Sequence, residues 1–136
     1  MKHLIFIFFF IISVHAHNLS WYGSYETAHK EALKKHKMLM VLLVEKDCPN
    51  CNKILSTTFM NQPYLNKVDD LFVSVLITKG QKETYPIEML YTMTYPSVFF
   101  LDAQELFVGE NIFGYIDSET FEKHLNLYLY QSPAKR

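Results

Sequence analysis

The sequence predicts a three-layer α/β sandwich in which a central mixed β-sheet is flanked by helices. Three observations lead there. Two runs, Met38–Val44 and residues 71–77, are apolar almost throughout, as strands covered on both faces must be. Segments with helical spacing of their apolar residues alternate with them, which calls for parallel strands joined by crossovers. Towards the C-terminus two more apolar segments flank a short polar turn, so a hairpin adds antiparallel strands to the same sheet.

Taken in order, residues 19–22 form a first strand. Ser24 is placed to cap a helix running to about His36, with Tyr25, Ala28, Ala32 and Leu33 on its inner face. Glu26 with Lys30, and Glu31 with Lys35, pair four residues apart on its outer face. The strand Met38–Val44 is bounded by charged Lys37 and Glu45, and a second helix opens at Cys48-Pro49-Asn50-Cys51. Cys51, Ile54, Leu55, Thr58 and Phe59 share a face of that helix, and Asn61-Gln62-Pro63 ends it. Residues 64–69 form another short helix, 71–77 the second buried strand, 79–86 a polar loop and 87–93 a short helix. The hairpin pairs 98–101 with 106–113 around the turn 102–105; Gly109 interrupts its second strand, and Gly114 marks a point of backbone freedom. Asp117 or Ser118 caps the last helix, where Phe121, Leu125, Tyr128 and Leu129 recur at helical spacing, and residues 132–136 form a tail.

A chain of 136 residues has room for one domain with a proper core and not for two. Hydrophobic residues at 49% and a net charge of -1 exclude a disordered charged tail and leave no basic footprint for nucleic acid. The first residues read Met1-Lys2-His3, an unbroken apolar run from Leu4 to Ile12, and Ser13-Val14-His15-Ala16. A basic start, an apolar stretch shorter than the roughly 20 residues that span a bilayer, and a small residue at Ala16 describe a secretory signal peptide. Residues 1–16 are therefore expected to be removed after Ala16, leaving a domain over 17–136, exported across the inner membrane into the periplasm. An uncleaved anchor is the alternative. The end of the apolar run carries no cysteine for a lipoprotein.

Both cysteines of the chain, Cys48 and Cys51, fall inside one four-residue motif. A bridge across two residues does little to constrain an unfolded chain, so a redox role is favoured over a structural one. After a buried strand and at the start of a helix, Cys48 takes the cap position and Pro49 the first turn, where a missing N–H costs nothing. The unpaired N–H groups and the helix dipole then favour a thiolate on Cys48, the expected nucleophile, while Cys51 one turn inside resolves the mixed disulfide. The other reading is half of a metal site. Zinc takes four ligands, and His17, His29, His36 and His124 show no paired spacing beside the motif, so neither metal nor bound cofactor is expected. Met38, Met40, Met89 and Met93 are read as core packing rather than copper ligands.

Through these residues and the order of its elements, the chain resembles the thioredoxin-like superfamily, over Trp21 to about Tyr130. The likeness rests on Cys48-Pro49-Asn50-Cys51 after a strand, on Thr94-Tyr95-Pro96-Ser97 before the strand Val98-Phe99-Phe100-Leu101, and on Gly114 after the next. The segment from Trp21 through Tyr25, Ala28 and Lys37 resembles the exported single-domain branch described as thioredoxin-related. The resemblance implies that Pro96 follows a cis peptide bond and faces the cysteines, and that the main chain of Tyr95 pairs with a substrate's extended chain. It implies disulfide exchange with cysteine-containing exported proteins, and a separate redox partner that recycles the pair. The lack of an added dimerisation domain implies a monomer. Two departures stand out. Cytosolic thioredoxins carry a buried aspartate in the preceding strand, whereas Leu42 stands at the corresponding place; Glu45 is the alternative acid for a proton relay to Cys51, with a solvated strand-end carboxylate as its favoured reading. The dipeptide Pro49-Asn50, which shapes the motif, resembles that of glutaredoxins and periplasmic dithiol oxidants in its leading proline. The competing class is a non-catalytic binding module whose cysteines form a structural disulfide or hold a metal.

Overall fold

The computed structural model describes residues 18–131, with side chains as far as Leu127. The expected signal segment, His17, the 132–136 tail and the side chains of Tyr128 and Leu129 lie outside the described residues.

A five-stranded sheet runs in the order β1 (Trp21–Tyr22), β3 (Phe72–Thr78), β2 (Met38–Val44), β4 (Ser97–Leu101), β5 (Ile112–Phe113). The first three are parallel, and β4 and β5 are antiparallel additions, which gives the mixed sheet. The helices are α1 (Tyr25–Lys35), α2 (Pro49–Ser56), α3 (Leu65–Leu71) and α4 (Ser118–Gln131). Among the described residues, no helix is long and apolar enough to cross a membrane.

The period of two along β2 divides the core. Met40, Leu42 and Val44 face the side packed by Cys51 and Ile54 of α2, Leu65 and Val68 of α3, and Phe121 and Leu125 of α4. Leu39, Val41 and Leu43 face Tyr25, Ala28 and Ala32 of α1. Ser24 caps α1 through its hydroxyl, which accepts the Thr27 N–H at 3.3 Å, and His36 closes the helix in the left-handed region. Leu33, read as part of the inner face, is exposed, because the three buried positions define a stripe narrow enough to leave it at the flank. Asp117 caps α4 with its carboxylate, accepting the Thr120 N–H at 2.8 Å.

Several elements differ from expectation. The first strand, expected over 19–22, is Trp21–Tyr22, and α2 ends at Ser56, so that Thr58 and Phe59 lie beyond it. Residue 71 ends α3 rather than starting β3. The strand expected over 106–113 shrinks to a bridge between Leu101 and Phe107 and the two residues of β5. Gly109 turns the chain with a positive φ of 70°, and the side chain of Asn111 accepts the Phe100 N–H at 3.2 Å, replacing a ladder bond. The helix expected over 87–93 is a series of turns with one helical bond, from the Leu90 N–H to the Pro86 carbonyl. Thr92 uses its hydroxyl on the main chain two residues later, which competes with helix formation. On this face of the sheet α1 is therefore accompanied by an irregular segment, with Tyr85, Met89 and Leu90 as its packing residues.

Candidate active site

Beyond the end of β2 the chain turns through Asp47, at a positive φ of 54°, and delivers Cys48 to the start of α2. Cys48 is the cap residue in extended conformation: its Sγ accepts the Cys51 N–H at 3.1 Å, and its carbonyl accepts the N–H groups of Cys51 and Asn52 at 3.1 and 3.2 Å. Pro49 occupies the first helical position, where it leaves no N–H unpaired. Cys48 and Cys51 are joined in a disulfide with 5.2 Å between their Cα atoms. Cys51 lies in the apolar cluster with Ile54 and Leu42, 2% exposed, and Cys48 is 9% exposed at its edge. Pro49 and Asn50 are exposed.

Facing the disulfide is the turn before β4. The Tyr95–Pro96 peptide bond is cis, Pro96 is buried, and the Tyr95 carbonyl oxygen lies 3.9 Å from the Cys48 Sγ. Two hydroxyl side chains, of Thr92 and Ser97, frame this turn around the main chain of Thr94. The Thr92 Oγ1 accepts the Thr94 N–H at 3.0 Å, lies 2.9 Å from the Thr94 carbonyl and 2.9 Å from the Ser97 Oγ, and the Ser97 hydroxyl donates to the Thr94 carbonyl. Sequence reasoning missed this clamp, although the hydroxyl residues on both sides of Tyr95-Pro96 were its visible signal. Thr92→Val, which keeps the shape and removes these bonds, should cost about 1–2 kcal/mol. Thr92→Ser should recover most of it. Equal urea midpoints for all three proteins would show that the clamp contributes nothing.

Gly114 anchors the turn from the other side by donating its N–H to the Pro96 carbonyl at 2.8 Å. Its φ is 89°, and a Cβ there would meet only the Thr94 Cγ2, at 3.8 Å. The requirement for glycine is thus conformational rather than steric, and Gly114→Ala should destabilise by about 1–2 kcal/mol. Thermal unfolding checks this, with an unchanged midpoint as the contrary result.

Glu45 is placed differently from what its sequence position suggests. It follows the parity of Leu43 rather than Leu42, and it lines a cleft with Lys79, Tyr85, Tyr91 and Tyr95, whereas Cys51 sits among apolar neighbours on the other face. The Lys79 Nζ stands over the Tyr95 ring, 5.4 Å from its centroid. Burial first, then Tyr85, Glu45 and Tyr91, push the Tyr95 phenol above its ordinary pKa, so it stays a neutral hydroxyl. The structure thus brings Cys48, Cys51, Pro96 and the Tyr95 carbonyl together, and sets Glu45 against the Tyr95 side chain.

A family model of the thioredoxin-like domain matches residues 25–129. Among curated proteins none matches the sequence. Among solved structures, a thioredoxin from Thermus thermophilus superposes with a TM-score of 0.71 at 21% identity, over 86% of this chain and 92% of that one. A putative disulphide-isomerase from Bacteroides thetaiotaomicron gives 0.70 at 18% identity, over 85% and 96%. The oxidoreductase DsbH gives 0.67 at 17% identity, over 85% and 87%. At these identities the likeness is one of fold.

Proposed function

The chain belongs to the thioredoxin-like domain family, and from that premise we propose that it is an exported thiol-disulfide oxidoreductase exchanging disulfides with cysteine-containing proteins through Cys48 and Cys51. The observation that carries this reading is the Cys48 sulfur at a helix N-terminus, accepting the Cys51 N–H and flanked by the Tyr95 carbonyl. An N–H aimed at a sulfur stabilises it most when it is a thiolate, which is the attacking and the leaving form in exchange.

In the reduced protein, the Cys48 thiolate attacks one sulfur of a substrate disulfide and expels the other as a thiolate. The Cys51 thiolate then attacks the Cys48 sulfur of the mixed disulfide, closing the bond seen here and releasing the second substrate thiolate. Two electrons pass from the dithiol to the substrate; run backwards, the same steps donate the disulfide. Tyr95 supplies main-chain groups for the substrate's extended segment, Pro96 shapes the wall opposite the sulfurs, and Pro49 and Asn50 form the exposed rim of the motif. The protein acts as a monomer without cofactor, and another redox protein recycles it.

Equilibration with glutathione redox buffers, together with insulin reduction, tests the proposal. Exchange activity with a potential above about -300 mV is expected. A potential well below that value and no turnover would instead identify a structural disulfide in a non-catalytic binding module. Export is tested separately, by the intact mass of the protein recovered from the periplasm, which should lack residues 1–16.

A further inference from the structure

The segment that fails to become a helix between β3 and β4 leaves an open cleft of about 560 Å³, within the roughly 300–1,000 Å³ typical of ligand sites. Its walls are Tyr85, Ile87, Leu90, Tyr91, Met93 and Tyr95, with Glu45 and Lys79 among the lining. Three of these apolar side chains are strongly exposed: Ile87 at 60%, Tyr91 at 66% and Met93 at 84%. Large apolar groups gathered on one short segment and left in water mark a surface that something covers. Methionine and tyrosine suit such a surface, one by its adaptable shape and the other by its rigid ring with a polar end.

Tyr95 links this cleft to the cysteine pair. Its carbonyl lies 3.9 Å from the Cys48 sulfur, while its ring forms part of the cleft wall. A polypeptide whose cysteine engages Cys48 therefore passes over Tyr95 and reaches the cleft within a few residues, since an extended chain advances about 3.3 Å per residue. The Lys79 ammonium stands over the Tyr95 ring at 5.4 Å, and with Glu45 it gives the lining one charge of each sign, so the cleft has no net charge with which to select a charged side chain and its apolar walls decide. They favour an uncharged, large side chain.

We infer that the cleft receives one aromatic or large aliphatic side chain near the reacting cysteine, so that this protein prefers polypeptide disulfides bearing such a residue over those bearing a small or charged one at the same place. The inference rests on the redox reading above and adds a substrate class to it. The chemistry is the balanced exchange already described, with the prereduced Cys48/Cys51 dithiol as electron donor.

The test uses decapeptides with a single cysteine, held as mixed disulfides with glutathione. One phenylalanine is placed at each of the three positions on either side of the cysteine, with serine or aspartate as replacements. Prereduced protein is mixed with each in a single turnover, the released peptide thiol is measured by chromatography, and each rate is divided by that protein's rate with glutathione disulfide. At the best position phenylalanine should react at least tenfold faster than serine or aspartate, and Ile87→Ser with Tyr91→Ser should bring that ratio below about twofold. A flat profile in the unaltered protein, or a preference that survives the double substitution, would overturn the inference. Binding of the cysteine-to-serine peptides, followed by calorimetry, keeps the two claims apart. Phenylalanine-dependent binding without any exchange would reject the redox reading and leave the cleft standing, while exchange without side-chain preference would do the reverse.

Discussion

On the proposed exchange reaction, Cys51→Ala should accumulate covalent complexes with disulfide substrates through Cys48, and Cys48→Ala should form none. The asymmetry follows from position. Cys48 caps α2, where its sulfur accepts the Cys51 N–H at 3.1 Å and meets the edge of the site; Cys51 lies a turn inside and is almost fully buried among apolar side chains. In the proposed reaction the first sulfur, at the helix N-terminus, is the one an incoming disulfide would reach, and the second is placed to attack only what is already bound to the first. Both single variants should lose complete turnover. They separate on non-reducing gels after reaction with insulin: a band of added mass, reversed by dithiothreitol, for Cys51→Ala, and none for Cys48→Ala. Trapping by Cys48→Ala instead would exchange the two roles.

How much of this was readable beforehand depends on whether a residue's role was set locally or by a neighbour far along the chain. Met38–Val44 could be recognised as a central strand because a run apolar at every position has no solvated face to offer, and it pairs with β3 on one side and β4 on the other. The motif was readable because proline at the first helical position and a cysteine before it are local signals. Residues 87–93 have a spacing that suits a helix, whereas the Thr92 hydroxyl captures main-chain groups of Thr94 in a local turn instead. The shortening of the 106–113 strand turns on Asn111 reaching the Phe100 N–H across the hairpin, which spacing does not reveal. Glu45 stands close in sequence to the cysteines, but along a strand one residue changes the face, and three residues place it across the sheet from the parity of Leu42.

Leu42 bears the largest stability prediction, because it occupies the position at which the thioredoxin-like likeness leads one to expect an acid. It is fully buried, pairs with Leu76 and Val98 on the neighbouring strands, and belongs to the apolar cluster that contains Cys51. Leu42→Asp should first lose the transfer of a leucine side chain, about 1.5–3 kcal/mol. It then places a carboxyl where the ionised form is strongly disfavoured, raising its pKa in the folded protein by roughly 3 units or more over its unfolded value near 3.9. A folded-state pKa raised in this way makes the unfolded state the readier to ionise. The penalty is therefore absent below about pH 4 and grows by about 1.4 kcal/mol per pH unit above it, up to the folded pKa. By pH 7 the total reaches about 5–7 kcal/mol, comparable with the whole stability of many domains. Urea unfolding of the oxidised protein from pH 4 to 8 should show a midpoint that falls steadily relative to the unaltered chain, while Leu42→Asn, which cannot ionise, loses a constant amount. A Leu42→Asp protein as stable as the original at pH 7 would mean that the core already holds a partner for a carboxylate beside Cys51. The expected collapse would mean instead that the core around Leu42 has no place for the buried acid that the family likeness leads one to expect on that strand.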